Sequence, residues 1–238
     1  MSDYLLDNTR ELERLRTQSE VWEPAGRDLL GRLGDGVGRR ALDVGCGALG
    51  WLRILREHGW ETTGSDLDED LLDGARTLGL DVELVRDDIF DSKLEADAFD
   101  LVHARFQLCP LGRVDEQLAA YRRWLKPGGT LVLEDPDSAS WHFVPEAPAT
   151  ARLIERIRER FLAAGGDFDM GRRLPSILPG AELSAHVAAL PPGHPYLRVP
   201  LQFARSLGLD ETDDAEAELA DPERWGLTFT LIQPWRTS

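Results

Sequence analysis

Three features of this sequence have residue types and spacing suited to chemistry, and each follows a short apolar run. The first is Asp43 with Gly45, Gly47 and Gly50, in LDVGCGALG. Glycines at this spacing permit a tight turn and close backbone approach to a ligand. The helix expected next opens with free N–H groups facing whatever binds there. Alone, the glycines fit an NAD or FAD site nearly as well, or a turn whose glycines are purely steric. Asp43, two residues before Gly45, repels a pyrophosphate and accepts hydrogen bonds from an ammonium group, which favours a ligand with a cationic tail. The second feature is Asp66, sixteen residues after Gly50 at the end of a second apolar run, where a doubly wound fold presents an acid to ribose hydroxyls. The third is Asp87-Asp88-Ile89, an acceptor beside an apolar side chain, a pair that suits an adenine amino group and ring.

These residues need strands that end together on one edge of a sheet. From residue 40, short apolar runs alternate with amphipathic stretches, the pattern of βα units around a mostly parallel sheet. It predicts strands at about 40–44, 60–65, 81–86, 98–104 and 129–135, with helices at about 49–58, 68–78 and 113–124. Before them, leucines among charged residues predict two short helices, at 5–18 and 21–33. After them, DPDSASWHFVPEAPAT reads as a loop, and ATARLIERIRERFLAA as a helix with Leu153, Ile154, Ile157, Phe161 and Leu162 on one face. GGDFDMGRRLPSILPG is turn-rich, ELSAHVAAL is a strand closed by Pro191 and Pro192, and the acidic run 210–224 is a solvated helix face or loop. LTFTLIQPW is a last strand, with Pro234 near its end.

With these elements in place, the sequence resembles the class I S-adenosylmethionine-dependent methyltransferases of small-molecule type, from about residue 4 to the C-terminus. The matching pieces are LDVGCGALG, TTGSDLDEDLL, the DDI segment, AFDLVHARFQLCPL and LKPGGTLVLEDPD, in the family's order and at its intervals. YLLDNTRELERLRTQ and GRRLP look like the family's cap elements, and LTFTLIQPW sits where it has an antiparallel seventh strand. The resemblance implies an α/β fold, a doubly wound seven-strand Rossmann-like sheet with a helical cap, as a single domain over 1–238 with cap elements at 1–35 and 140–180. It implies S-adenosylmethionine as cofactor. The backbone around Gly45 and Gly47 would face the methionine moiety, with Asp43 and Gly50 in the same motif. Asp66 would hold the ribose, Leu67 and Ile89 would sandwich the adenine, Asp88 would accept from its amino group, and Ala104 and Arg105 would border the methionine tail. Two departures are Leu49 before Gly50, and QLCPL where relatives often carry a histidine or two.

Methyl transfer from a sulfonium is an in-line displacement, so holding the nucleophile against the methyl and excluding water supply much of the rate. A base is optional. His142, beside Trp141 in the loop after the fifth strand, is the candidate base, against a surface-loop histidine. His103 ends the fourth strand, where a structural role is favoured. Glu134, Asp135 and Asp137 either orient an acceptor or cap the loop. Arg172 and Arg173 either receive an anion or serve the fold, and Arg14 and Gln18, four apart, either close over the cofactor tail or pair on a helix face. Cys46 and Cys109 are given no catalytic part.

A net charge of −16 repels phosphate backbones, which weighs against nucleic acid and anionic membranes as partners. Two cysteines are too few for a disulfide framework or a cysteine-based zinc site, so no metal is expected. With no apolar leader and no run of 18 apolar residues, a cytoplasmic protein is the expectation. The expected partner is a small-molecule acceptor, with a homodimer left open. The expected function is methyl transfer from S-adenosylmethionine to an oxygen, nitrogen or carbon of that acceptor. Its rivals are a non-catalytic S-adenosylmethionine-binding regulatory protein and an NAD-dependent oxidoreductase, the latter disfavoured by Asp43 and LKPGG.

Overall fold

The computed structural model describes residues 8–210 and 212–237. One helix, α1 (Asn8–Leu33), replaces the two short helices expected, whose first residues lie outside the described ones. It carries Pro24 in its interior. Proline there removes one N–H bond and costs about 3 kcal/mol. The buried stripe Gln18, Trp22, Ala25 and Leu29 nevertheless runs unbroken past it at spacings of four, three and four, and that continuous face keeps the helix whole.

The chain then alternates as expected: β1 (Arg40–Val44), α2 (Gly50–Glu57), β2 (Glu61–Asp66), α3 (Glu69–Arg76), β3 (Glu83–Arg86), β4 (Phe99–Arg105), α4 (Leu108–Leu111), α5 (Val114–Trp124) and β5 (Leu125–Asp137). Asp68 caps α3, its carboxylate accepting from the N–H groups of Asp70 and Leu71. On α2, Trp51, Leu52, Ile54 and Leu55 are buried, a single stripe that lies against the sheet. After β5 come β6 (His142–Val144), α6 (Pro148–Ala163), α7 (Leu174–Ile177), β7 (Glu182–His186), β8 (Ala189–Leu190), α8 (Val199–Ser206), α9 (Asp213–Leu219), β9 (Trp225–Leu227) and β10 (Thr230–Thr237).

Seven strands form one sheet in the order β3-β2-β1-β4-β5-β10-β7. β1 to β5 pair in parallel, and β10 runs antiparallel to both β5 and β7. The order reverses at β1, so the carboxyl ends of β1 and β4 flank the switch point where open α/β sheets bind ligands. Pro234 does not end its strand. β10 is interior and continues to Thr237, and the recorded pairing with β5 is interrupted at Gln233 and Pro234, as a residue without an N–H requires.

The region after β5 departs most from expectation. In place of a loop, β6 pairs with β9, and β9 with β8, in a second small sheet. ELSAHVAAL is divided between β7 and β8, one strand in each sheet. The acidic run contributes α9, where Ala215 and Leu219 are buried and Glu218 accepts from the N–H groups of Ala149 and Thr150 at the start of α6. Because β5 ends and β10 begins beside one another, this layer sits over the carboxyl edge of the main sheet. It draws on residues 189–229 as well as 140–180: the rings of Tyr196 and Phe229 meet those of Trp22 and Trp141. One apolar cluster runs from Trp22 of α1 through β4 and β5 to Leu231 of β10. Among the described residues no helix is long and apolar enough to cross a membrane.

Candidate active site

β1 delivers the chain into a turn with three residues in the left-handed region: Gly45 (φ +65°), Gly47 (φ +46°) and Leu49 (φ +62°). The glycines adopt it without steric cost, whereas a buried leucine there is an outlier that its surroundings must hold. The loop is closely covered. A Cβ on Gly45 would lie 1.9 Å from Nε2 of Gln107, one on Gly47 3.2 Å from the Leu15 side chain, and one on Gly50 2.4 Å from Ser19. Thus α1 and the residue two beyond β4 lie directly on the glycine turn. The sequence places Gln107 in a matching segment and the first helix among the cap elements, but their contact with the glycine turn is set by close approach in space.

Asp66 ends β2 partly buried, with Oδ2 accepting from the Gly47 N–H at 3.1 Å and Oδ1 from the Asp68 N–H at 3.1 Å. Burial raises its pKa, and these backbone donors oppose the rise. Each carboxylate oxygen has a second lone pair, so two hydroxyls can be accepted without breaking either bond. Next to it Leu67 is 53% exposed, a large apolar side chain left at the edge. At the following strand end Asp88 is exposed, its Oδ1 accepting from the Phe90 N–H at 2.9 Å, and Ile89 is partly buried. An acid for hydroxyls, an open apolar side chain and a second acid on adjacent strand ends suit a nucleoside. The residues present therefore fit S-adenosylmethionine.

Inward from this edge lies a buried charge network. Asp43 and His103 sit in register on β1 and β4, and Nδ1 of His103 is 2.7 Å from Oδ1 of Asp43. Nε2 of His103 is 3.5 Å from Oε2 of Glu134, which also accepts from Arg105 Nε and, at 3.3 Å, from Trp51 Nε1. Gln233 of β10 donates to the other Glu134 oxygen. The Trp51 ring lies 3.8 Å from that of His103, centroid to centroid, and 5.3 Å from the Arg105 guanidinium. Burial disfavours a charged His103, but the two facing carboxylates overcome it and its pKa is raised. Burial likewise opposes ionisation of Glu134, and Arg105 and His103 reverse this, lowering its pKa. Asp43, His103, Glu134 and Arg105 thus face one another in a site with almost no solvent contact. Asp43, expected to meet an ammonium tail, has one oxygen, Oδ1, committed to His103, which is fully buried in this pairing.

The other candidates fall apart in space. His142 is exposed on β6, with Trp141 and Phe143 on either side of it buried, so strand alternation turns it away from the layer's interior. Ala104 is 1% exposed and packs in the core, leaving only its backbone for a ligand. Asp135 is buried, its Oδ1 accepting from the Cys109 N–H at 3.0 Å, and burial pushes its pKa well up. Arg172 pairs with Asp137 and Arg173 with Asp167, so both serve the fold's surface. Arg14 donates to Gln18 at 2.7 Å, as helical spacing allows, yet both are buried rather than solvated.

A family model described as a methyltransferase domain matches residues 15–189. A malonyl-[acyl-carrier protein] O-methyltransferase of Enterobacter lignolyticus is 27% identical over 154 residues, 62% of this chain and 61% of the relative. A trans-aconitate 2-methyltransferase of Rhizobium meliloti is 34% identical over 127 residues, 51% of this chain and 47% of the relative. The matches therefore span less than two thirds of these relatives. Among solved structures, a putative methyltransferase from Bacillus halodurans shares the fold at a TM-score of 0.59 and 18% identity, covering 88% of this chain and 96% of that one.

Proposed function

Since the chain belongs to the methyltransferase-domain family whose model it matches over residues 15–189, we propose that it transfers a methyl group from S-adenosylmethionine to a small-molecule acceptor. The observation that carries this reading is Asp66: a strand-end carboxylate tied to the glycine turn through the Gly47 N–H, with acceptor capacity left on both oxygens and the apolar Leu67 open beside it. When bound, S-adenosylmethionine supplies an electrophilic methyl on a sulfonium, the leaving group being a neutral thioether. Asp66 orients the ribose, Asp88 and Ile89 the adenine, and the backbone of Gly45 and Gly47 the amino-acid end. Gln107, over Gly45, closes the turn from above. The Asp43–His103–Glu134–Arg105 network is buried and joined by hydrogen bonds and ion pairs across neighbouring strands, so it fixes the ends of β1, β4 and β5 relative to one another rather than moving protons. With His142 turned outward, no histidine acts as base in this reading, and the rate comes from alignment and exclusion of water under the aromatic layer.

Relatives that share parts of the sequence are named for a malonyl group, trans-aconitate and demethylmenaquinone. These acceptors differ too much in chemistry to define one for this chain by likeness. Calorimetric titration of the full chain with S-adenosylmethionine and with NAD tests the reading: saturable binding of the first and none of the second is expected. Binding of NAD alone would overturn it.

A further inference from the structure

Away from the glycine turn, the amino end of β5 borders a cavity of about 220 Å³ lined by Arg122, Leu125, Leu131, Leu178 and Arg236. The fold explains how they meet. Arg122 stands in the last turn of α5, three residues before Leu125 opens β5. Leu131 is the cross-strand partner of Arg236 on β10, and Leu178 follows directly on α7. The three leucines are buried and give the cavity an apolar wall. The two arginines are exposed, and no acid lines the cavity, although acids outnumber bases 43 to 27 in the chain. Arg236 gives Nη1 to the Pro179 carbonyl at 2.7 Å, which orients the guanidinium and leaves its other N–H groups to donate. Arg122 has no hydrogen bond, ion pair or ring contact among the described residues, whereas its neighbour Arg123 donates to the Ser92 carbonyl and lies over the Trp124 ring.

Two guanidinium groups beside an apolar wall, with no acid between them, select a ligand of two parts. Anionic oxygens suit the donors, since an ammonium group is repelled and a neutral group forgoes the charge-assisted bond. An apolar body suits the leucines, which offer nothing to a bare inorganic anion. The volume lies below the roughly 300–1,000 Å³ of drug-sized sites, so that body is a single ring or a short chain. We propose that this cavity is a second binding site, for a small amphipathic anion with a compact apolar body and an oxyanion head, whether carboxylate, sulfonate or phosphate monoester. It needs no cofactor and does not rest on the methyl-transfer reading. Because the cavity lies toward the amino end of β5 and the candidate active site at the carboxyl ends of the strands, both sites can be filled at once.

The full chain is titrated calorimetrically with hexanoate, benzoate, benzenesulfonate and phenyl phosphate, and then with benzamide, benzylamine and sulfate, each of which lacks one of the two parts. At least one of the four amphipathic anions is expected to bind, with all three controls about tenfold weaker or more, and the anion that binds best identifies the head. Arg122→Gln and Arg236→Gln should each weaken that anion about five- to tenfold, while Arg123→Gln, one residue away, should leave it within about twofold. Saturating S-adenosylmethionine should leave its affinity within about threefold. The contrast between anions and controls in the unaltered protein stands even where a variant fails to fold. Binding by none of the four anions, equal binding of benzamide or sulfate, or unchanged affinity in both Arg122→Gln and Arg236→Gln overturns the proposal. So does an equal loss in Arg123→Gln, which would mark a response to net charge alone, or displacement by S-adenosylmethionine, which would put the anion in the candidate active site. If S-adenosylmethionine itself fails to bind, the methyl-transfer reading falls, and the controls and arginine variants decide the cavity on their own.

Discussion

Asp66 has two duties, and they can be separated by substitution. Its oxygens hold the N–H groups of Gly47 and Asp68, which shapes the turn, and their remaining lone pairs are the proposed ribose acceptors. Charge-assisted hydrogen bonds are worth about 1.5–3 kcal/mol, so Asp66→Ala should weaken S-adenosylmethionine by about tenfold or more. Asp66→Asn keeps one acceptor oxygen and should lose less. Calorimetry on both folded variants checks this, and unchanged affinity in Asp66→Ala would remove the ribose assignment. His103 carries a pH signature. Its pKa is raised in the fold, so the stability it contributes is full below its unfolded value of about 6.5 and is lost as pH climbs through the folded value. Glu134, with its pKa lowered, behaves oppositely: its contribution is complete above the ordinary carboxylate range and is lost as pH falls below about 4.3. His103→Gln should therefore melt well below the parent near pH 6, with the gap narrowing toward pH 9. A gap constant across that window in thermal melts would show that His103 is neutral in the fold. His142→Ala, at an exposed position on β6, should escape the loss of about a hundredfold that removing a general base brings.

At the scale of elements, α1 packs closely on the glycine turn where α2 begins. A Cβ on Gly50 would meet the Cβ and Oγ of Ser19 at 2.4 Å, and the clash is with atoms close to the helix backbone, which have little freedom to swing away. Gly50→Ala should thus cost about 1–3 kcal/mol, as overpacking does, and should cost less in a Ser19→Gly background, where the clashing atoms are gone, than in the parent. A double-mutant cycle in denaturant unfolding reads the coupling, and strict additivity would mean that α1 sits farther from the turn. The parallel strands were legible because a buried parallel strand is a short apolar run between glycine-rich or polar breaks, and β1 matches its expected limits while β2 to β4 shift by a residue or two. The acids Asp66 and Asp88 were legible because strand ends are marked by those same breaks. The second sheet was not. β6 and β8 are three and two residues long, too short for alternation to register, and their pairing with β9 joins segments about 40 and 80 residues apart. The cover that Leu15, Ser19 and Gln107 form over the glycine turn was not legible for the same reason: nothing in their local sequence encodes what lies across from them. Pro24 misled, since a proline signals a break by its local cost, while the apolar stripe that outweighs it becomes decisive only once it is packed.

For the whole molecule, the central fact is that the layer over the site and the sheet beneath it share one core. Trp22, Trp141, Tyr196 and Phe229 belong to the same apolar cluster as Val102, Leu131 and Leu133 of β4 and β5. The layer cannot unfold on its own without exposing the face of the sheet, so tryptophan fluorescence and far-ultraviolet circular dichroism should report coincident thermal transitions. A ligand enclosed between layer and sheet then stabilises the entire chain and not one lobe of it. At a hundred times its dissociation constant, a ligand that binds only the folded state adds about 2.7 kcal/mol. For a chain of 238 residues, each kcal/mol raises the melting temperature by about 2–4 °C, so saturation with S-adenosylmethionine should raise it by about 5–11 °C. The rise should appear equally in both signals. A shift in fluorescence alone, with circular dichroism unmoved, would show that the layer melts separately and that the ligand is gripped by the layer without the sheet, contrary to a site built on the carboxyl ends of β1, β2 and β4.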